Sequence, residues 1–282
     1  MKSNGIWMGV FVVAVVAFAA TVRGEPGAKV FADGKALLAK GDFKGAMAAF
    51  ADAARADSSN RQYVSQYAMV RQIVQLRKRL KTETDPRRWH YTADALRSFY
   101  VREKIYPEAL AIDKKVYAKW QDAPSAVRLA ETLLAMDRNA EAAEVLSQID
   151  PDKATGATNA LLGVALARDG KVDRAKVIAR RVSLHENAGP GMAYSAARLY
   201  AATGDTDKAL RSLARCFEAI PPSLLDGFKA HAKLCPDFAD LASTAEFARV
   251  LQTKSKVAES KCSGGSKCAG CPMRGKCSSG RK

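Results

Sequence analysis

Aromatic side chains are scarce, at 7% of the 282 residues. Glycine (19) and proline (10) are too few for a collagen-like or proline-rich chain. The three histidines, His90, His185 and His231, stand far apart, and none falls in a zinc-protease or nucleophile motif. No Walker-type phosphate loop is present, and Gly264-Gly265 lacks the strand-to-helix setting that such a loop needs. There is no G-x-S-x-G elbow. Paired acids such as Asp237 and Asp240 suit capping and surface roles better than acid–base chemistry. Together these absences argue against an enzyme. What remains, 48% hydrophobic and 26% charged residues, is the composition of a chain that folds, long enough for one or two domains. Alanine in nearly every segment points to closely packed helices, because Ala is the strongest helix former and lets backbones approach.

Acids are also in short supply. Lys plus Arg is 45 and Asp plus Glu is 29, a formal charge of +16. The last 31 residues, 252–282, carry eight bases against Glu259 alone, so 8 − 1 gives +7. A second basic stretch runs from Arg71 to Lys104. Such surfaces attract nucleic acid, anionic lipid or acidic polymers, or simply keep a protein soluble. Nucleic acid is disfavoured by the compartment that the N-terminus implies.

Lys2 precedes an uncharged apolar run, residues 6–22. Ala17-Phe18-Ala19 matches an A-x-A cleavage site, and Val22-Arg23-Gly24 before Glu25 offers another. Residues 1–24 therefore read as a secretory signal or, at the lower length limit for a spanning helix, as an uncleaved membrane anchor. A buried N-terminal helix is the third alternative. No cysteine stands near the cleavage sites, which argues against a lipoprotein. Either leading reading makes the chain exported, periplasmic or extracellular, or held at the inner membrane, where disulfides persist.

The middle of the chain repeats itself. In Val30 to Asn60, residues Gly34, Leu37, Gly41, Phe43, Ala46, Phe50, Ala53 and Asp57 set out a helical hairpin: small residues where helices cross, large ones beside them, Gly-Asp at the turn. The turn glycines Gly170 and Gly204 lie 204 − 170 = 34 residues apart. Steps of 33 back from Gly170 reach Asp137 and then Lys104, each flanked by core-type residues. The segment resembles the tetratricopeptide repeat (TPR) family over residues 28–222, with five recognisable units and a divergent stretch at 61–87. Within that stretch a helix of about Gln62 to Lys81 is expected, ending at Thr82-Glu83-Thr84-Asp85-Pro86. Asp33 and Ser58 depart from the family pattern. The implied fold is all-α, a TPR-type helical-hairpin solenoid; an irregular helical bundle is the alternative. Residues 223–251 resemble the terminal module that follows such repeats: Cys235-Pro236-Asp237-Phe238 with Leu241, Phe247 and Leu251 forms a cap that covers the last helical face.

The resemblance implies a groove lined by the first helix of each pair and a peptide or protein partner. Phe31, Lys35, Tyr91, Arg102, Arg168, Tyr194 and Arg198 are the groove residues it predicts. Four are basic, which favours an acidic partner, since Arg binds carboxylates in bidentate geometry. Phe31 and Lys35 depart from the Lys and Asn of the family's chaperone-tail clamp, so that specificity is not carried over.

Residues 252–282 form a basic tail with Cys262, Cys268, Cys271 and Cys277 in the spacing C-x5-C-x2-C-x5-C. Its Gly/Ser/Lys context cannot build a core. Four thiolates can hold Zn or iron, pair as two disulfides, or serve as a redox dithiol at Cys268 and Cys271. The ending also resembles short cysteine-rich tails of bacterial iron-transport proteins. No His follows Cys271, so c-type haem attachment is excluded as a motif. Cys216 and Cys235 are either a disulfide between last repeat and cap or two buried thiols, and His231 with Cys235 is a weak metal pair. The expected function is a non-catalytic, exported interaction scaffold; the alternative is a metal-handling or thiol-redox protein docked by its solenoid.

Overall fold

The computed structural model describes residues 26–182 and 188–258. Both N-terminal cleavage motifs and the four tail cysteines lie outside them. The chain divides into two compact units, parted between Thr84 and Asp85.

The first unit holds α1 (Ala28–Ala39), α2 (Phe43–Ala56) and α3 (Arg61–Thr82). Gly34 is where α1 and α2 cross: a Cβ there would stand 2.7 Å from Phe50 Cε1. Phe31 fills the adjoining space, 5.2 Å from the Phe50 ring and 4.6 Å from Tyr63 on α3. Where the family often has Pro at Ser58, the Asp57 carboxylate accepts from the backbone N–H groups of Ser59 and Asn60 and makes the turn instead. Asn60 then caps α3 by accepting from the Gln62 and Tyr63 amides.

The second unit continues with α4 (Pro86–Arg102), α5 (Tyr106–Trp120), α6 (Ala123–Ala135), α7 (Asn139–Ser147), α8 (Gly156–Arg168), α9 (Val172–Arg181), α10 (Pro190–Ala202) and α11 (Thr206–Ala219). Each helix packs on the next, and α10 also packs on α8, so first helices of successive pairs lie side by side. A cap follows: α12 (Pro222–Leu234), a 3-10 turn (Pro236–Leu241) and α13 (Ala245–Val250). Phe238 and Phe247 are fully buried there, their rings 6.0 Å apart.

Five hairpins turn in the same way. Gly41, Lys104, Asp137, Gly170 and Gly204 all have positive φ, from 55° to 83°. In each, the next residue's N–H donates back to the carbonyl five positions earlier: Asp42 to Leu37, Ile105 to Tyr100, Arg138 to Leu133, Lys171 to Leu166 and Asp205 to Tyr200, at 2.8–3.0 Å. That closes the preceding helix by a Schellman motif and starts the next one without a gap. The predicted 33-residue phase is therefore a repeat of backbone conformation, kept even where Lys104 and Asp137 replace glycine at a cost of about 1 kcal/mol each. The fold is all-α, built from stacked helical hairpins of TPR type; no strand occurs among the described residues.

Hairpin cores are mostly small-on-large. Gly34 meets Phe50, and the equivalent pairs Ala130/Leu146 and Ala197/Leu213 share the same separation, since 50 − 34 = 146 − 130 = 213 − 197 = 16. Gly163 sits where α8 passes α10, and a Cβ there would overlap Leu199 Cδ1. In the α4–α5 hairpin the equivalent pair is Arg97 and Asp113, again 16 apart. An ion pair thus stands where its neighbours have an apolar contact.

Candidate interaction face

The first helices α4, α6, α8 and α10 present side chains to one face, and on that face most charges are paired internally. Asp113 on α5 is fully buried and holds Arg97 Nε at 2.7 and 3.0 Å. Thr132 Oγ1 donates to the same carboxylate at 2.6 Å, and Arg97 Nη2 reaches the Arg128 carbonyl at 3.1 Å. Burial pushes the Asp113 carboxyl above its ordinary value, outweighing Thr132 and Arg97, which pull it down. Arg128 pairs with Asp94 across α6 and α4 at 2.6 Å. Glu131 lies 3.7 Å from Arg97; desolvation raises its carboxyl in this recess although half of its side chain meets solvent.

The second cluster belongs to the cap. Asp237, on the 3-10 turn, reaches back between α8 and α10. One of its oxygens accepts from Arg168 Nε and the other from Arg198 Nε, both at 2.7 Å. Arg168 Nη1 is further held by the Leu134 carbonyl at 3.2 Å. Only 2% of the Asp237 side chain is exposed. Burial opposes its charge, but Arg198 and Arg168 win and hold the carboxyl below the usual carboxylate range. Tyr194 packs against His231 and, edge-on, against Phe238, with its hydroxyl buried beside Cys235; burial pushes that hydroxyl's pKa up. His231 is pushed down by burial and by Arg198.

The seven predicted groove residues therefore separate. Phe31 is a core residue, 6% exposed, because its ring completes the Phe50–Tyr63 cluster; Lys35 lies over it at 4.8 Å. Arg168 and Arg198 face the predicted side but hold an internal carboxylate, and Tyr194 supports the cap. Tyr91 and Arg102 remain outward on α4. Tyr91 is 74% exposed, and Arg102 stands over Phe99 and donates to Glu103 at 3.0 Å. Exposed Ser98, at seven residues from Tyr91, lies on the same helical stripe. The expectation of an acidic partner rested on four cations. Of these, Arg168 and Arg198 share Asp237, Arg102 donates to Glu103 and Lys35 lies over Phe31.

Cys216 and Cys235 are free, buried thiols and form no disulfide with each other. Cys216 belongs to the α11 core, where burial pushes it up to about 12. Cys235 closes α12 and donates weakly to Asp237 Oδ2 at 3.6 Å. No group of three or more metal-ligating side chains occurs among the described residues, and no described helix is long and apolar enough to cross a membrane.

Arg97, Asp113, Arg128, Glu131 and the ligand role of Asp237 were not predicted. A signal for the first two was available: they sit at 97 − 34 = 63 and 113 − 50 = 63 from the Gly34/Phe50 pair, two charges of opposite sign at core positions. Nothing in the sequence marks Asp237 as reaching Arg168, 69 residues away.

No family model and no curated protein sequence matches the chain. Among solved structures it is similar to a thermophilic TPR protein, TTC0263, from Thermus thermophilus, at 19% identity over 74% of this chain and 100% of that one, TM-score 0.36. It is similar to YrrB, described as a TPR protein with an unusual peptide-binding site, at 19% identity over 75% and 93%, TM-score 0.31. A tetratricopeptide repeat protein from Parabacteroides merdae matches at 16% identity over 82% and 99%, TM-score 0.38. The repeat fold of this chain stands on its own five turns and the helix pairs they join.

Proposed function

We propose that this protein is a non-catalytic, exported scaffold that binds a peptide or protein partner through the first-helix face of its second unit. The observation that carries the reading is the stripe on α4. Tyr91 and Ser98 are exposed along it and Arg102, which donates to Glu103, continues it, whereas the arginines of α6, α8 and α10 are largely buried in their ion pairs. Exposed aromatic and arginine side chains are the residue types that dominate binding energy at protein interfaces. The test replaces Tyr91 with a photo-crosslinking residue and uses exposed Ala111, on α5, as the control. One light-dependent adduct at 91, absent at 111 and lost with Arg102→Glu, is the expected result. Equal, mixed adducts at both positions would remove the reading.

A second function rests on the four tail cysteines, whose spacing suits a single tetrahedral ion. In that reading the tail binds Zn or iron, and the solenoid carries it to the partner. Metal content and free thiols, measured together on unchelated exported protein, decide it. About one metal per chain, lost when the four cysteines become Ser, supports a metal tail. No metal and no free tail thiols would make the tail a disulfide knot.

A further inference from the structure

We propose that Arg168 and Arg198 form a carboxylate-binding seat that the cap's Asp237 fills from within, and that an acidic side chain or chain terminus of the partner competes with Asp237 for it. The inference rests on the scaffold reading for its partner, but the seat itself is independent of that reading.

Both cations come from the repeats, one each from adjacent first helices, whereas the carboxylate comes from the cap. Arg168 has an anchor besides the carboxylate, because its Nη1 donates to Leu134 O at 3.2 Å. The contacts use the Nε of both arginines, one to each oxygen, so two guanidinium groups divide a single carboxylate. A carboxylate from elsewhere finds the same donors. The helix that leads to Asp237 is lightly held: of the 13 residues in α12 only Leu225 and Ala232 are buried, while Leu224 and Leu234 are 55% and 78% exposed. Phe238, Leu241 and Phe247 are buried and attach the cap beside these ion pairs. The internal carboxylate therefore acts as a built-in competitor. It lowers affinity for weak acidic ligands and leaves the seat to a partner that also engages the neighbouring α4 and α6 positions.

The test uses the full chain with Asp237→Ala, whose methyl group leaves the arginines without their carboxylate. Sodium acetate should raise its thermal midpoint saturably, relative to sodium chloride at equal ionic strength. The wild type and Asp237→Ala/Arg198→Ala should not respond. A fluorescein-labelled octapeptide of glutamate should bind Asp237→Ala at least about tenfold more tightly than the wild type, within the usual range of coupling between competing sites. If Asp237→Ala does not fold, Asp237→Ser serves in its place, because its hydroxyl is too short to pair with both arginines. A folded variant that ignores acetate would overturn the seat. Equal peptide affinity in wild type and variant would overturn the competition. Failure of the crosslink at Tyr91 would count against the scaffold alone and leave the acetate result standing.

Discussion

The Arg97–Asp113 pair gives the sharpest prediction. It occupies the place of Gly34/Phe50, Ala130/Leu146 and Ala197/Leu213, so the substitution that restores the repeat pattern is Arg97→Ala with Asp113→Leu. Removing one partner of a buried pair typically costs about 3–5 kcal/mol, because the other charge is left without its counter-ion. Asp113→Leu alone leaves Arg97, 15% exposed, facing an apolar helix. It belongs at the lower end of that range, because the guanidinium can still swing towards Glu131 at 3.7 Å. Arg97→Ala alone strands a carboxylate with no exposure and only Thr132 as donor, and belongs at the upper end. The raised Asp113 pKa shows that desolvation exceeds the stabilisation of its charge by Arg97 and Thr132. The double variant should therefore be neutral or more stable than wild type, by up to a few kcal/mol, as for other buried pairs replaced by apolar residues. Thr132 loses an acceptor, but its hydroxyl can turn to the Arg128 carbonyl four residues back. Urea unfolding followed by tryptophan fluorescence is the assay, since two of the three tryptophans, Trp89 and Trp120, stack at 5.7 Å within this hairpin. The urea slope should be unchanged across the four proteins. If the double variant loses as much as the two single losses added together, the pair is not coupled, and the reasoning is refuted.

Other outcomes follow from the same geometry. Gly170→Ala should cost about 1–2 kcal/mol from the left-handed turn alone, since its Cβ would meet nothing within 4 Å. Gly163→Ala should cost about 1–3 kcal/mol from overpacking on Leu199 at ordinary helical dihedrals; urea midpoints that rank Gly170 as silent would contradict the turn account. Asp237 should stabilise the cap fully above the unfolded carboxylate pKa of about 3.9 and lose that contribution as pH falls through its lower folded value. The stability gap between wild type and Asp237→Asn should accordingly narrow with acid, and a gap that widens would be the wrong sign. With the four tail cysteines changed to Ser, neither Cys216 nor Cys235 should react with a thiol reagent at pH 8 in the native protein, and both should react in urea.

Hairpin phase was legible in the sequence because it depends on local chemistry: a turn that needs left-handed backbone, a small residue at most crossings, and alanine after the turn. Even Lys104 and Asp137, which hide the turn by lacking glycine, emerge on counting back from Gly170, and both have positive φ. The long helix at Arg61–Thr82 was visible for a similar reason, with Asn60 to start it and Asp85-Pro86 to begin the next. The state of the predicted face was not legible. A groove position is defined by direction along a helix, and Arg168 and Arg198 do point that way. Whether such a cation is available depends on a carboxylate brought from the cap, and no local pattern encodes that contact. Phe31 was misplaced for the opposite reason. Its position on α1 matches a groove register, but the large Tyr63 of α3 stands against it and makes it core.

The central claim is that Asp237 closes the α8–α10 end of the first-helix face by pairing with Arg168 and Arg198. Hydrogen exchange on wild type and Asp237→Asn tests it most directly, read at the amides of the cap, residues 236–251, and of α10. Loss of the two charged contacts should speed exchange in both segments at least about tenfold while α4 to α6 stay unchanged, because stability in such a stack is set by neighbouring contacts. Identical exchange in the two proteins would mean that the ion pairs do not hold the cap, and the account of a closed α8–α10 end would fail.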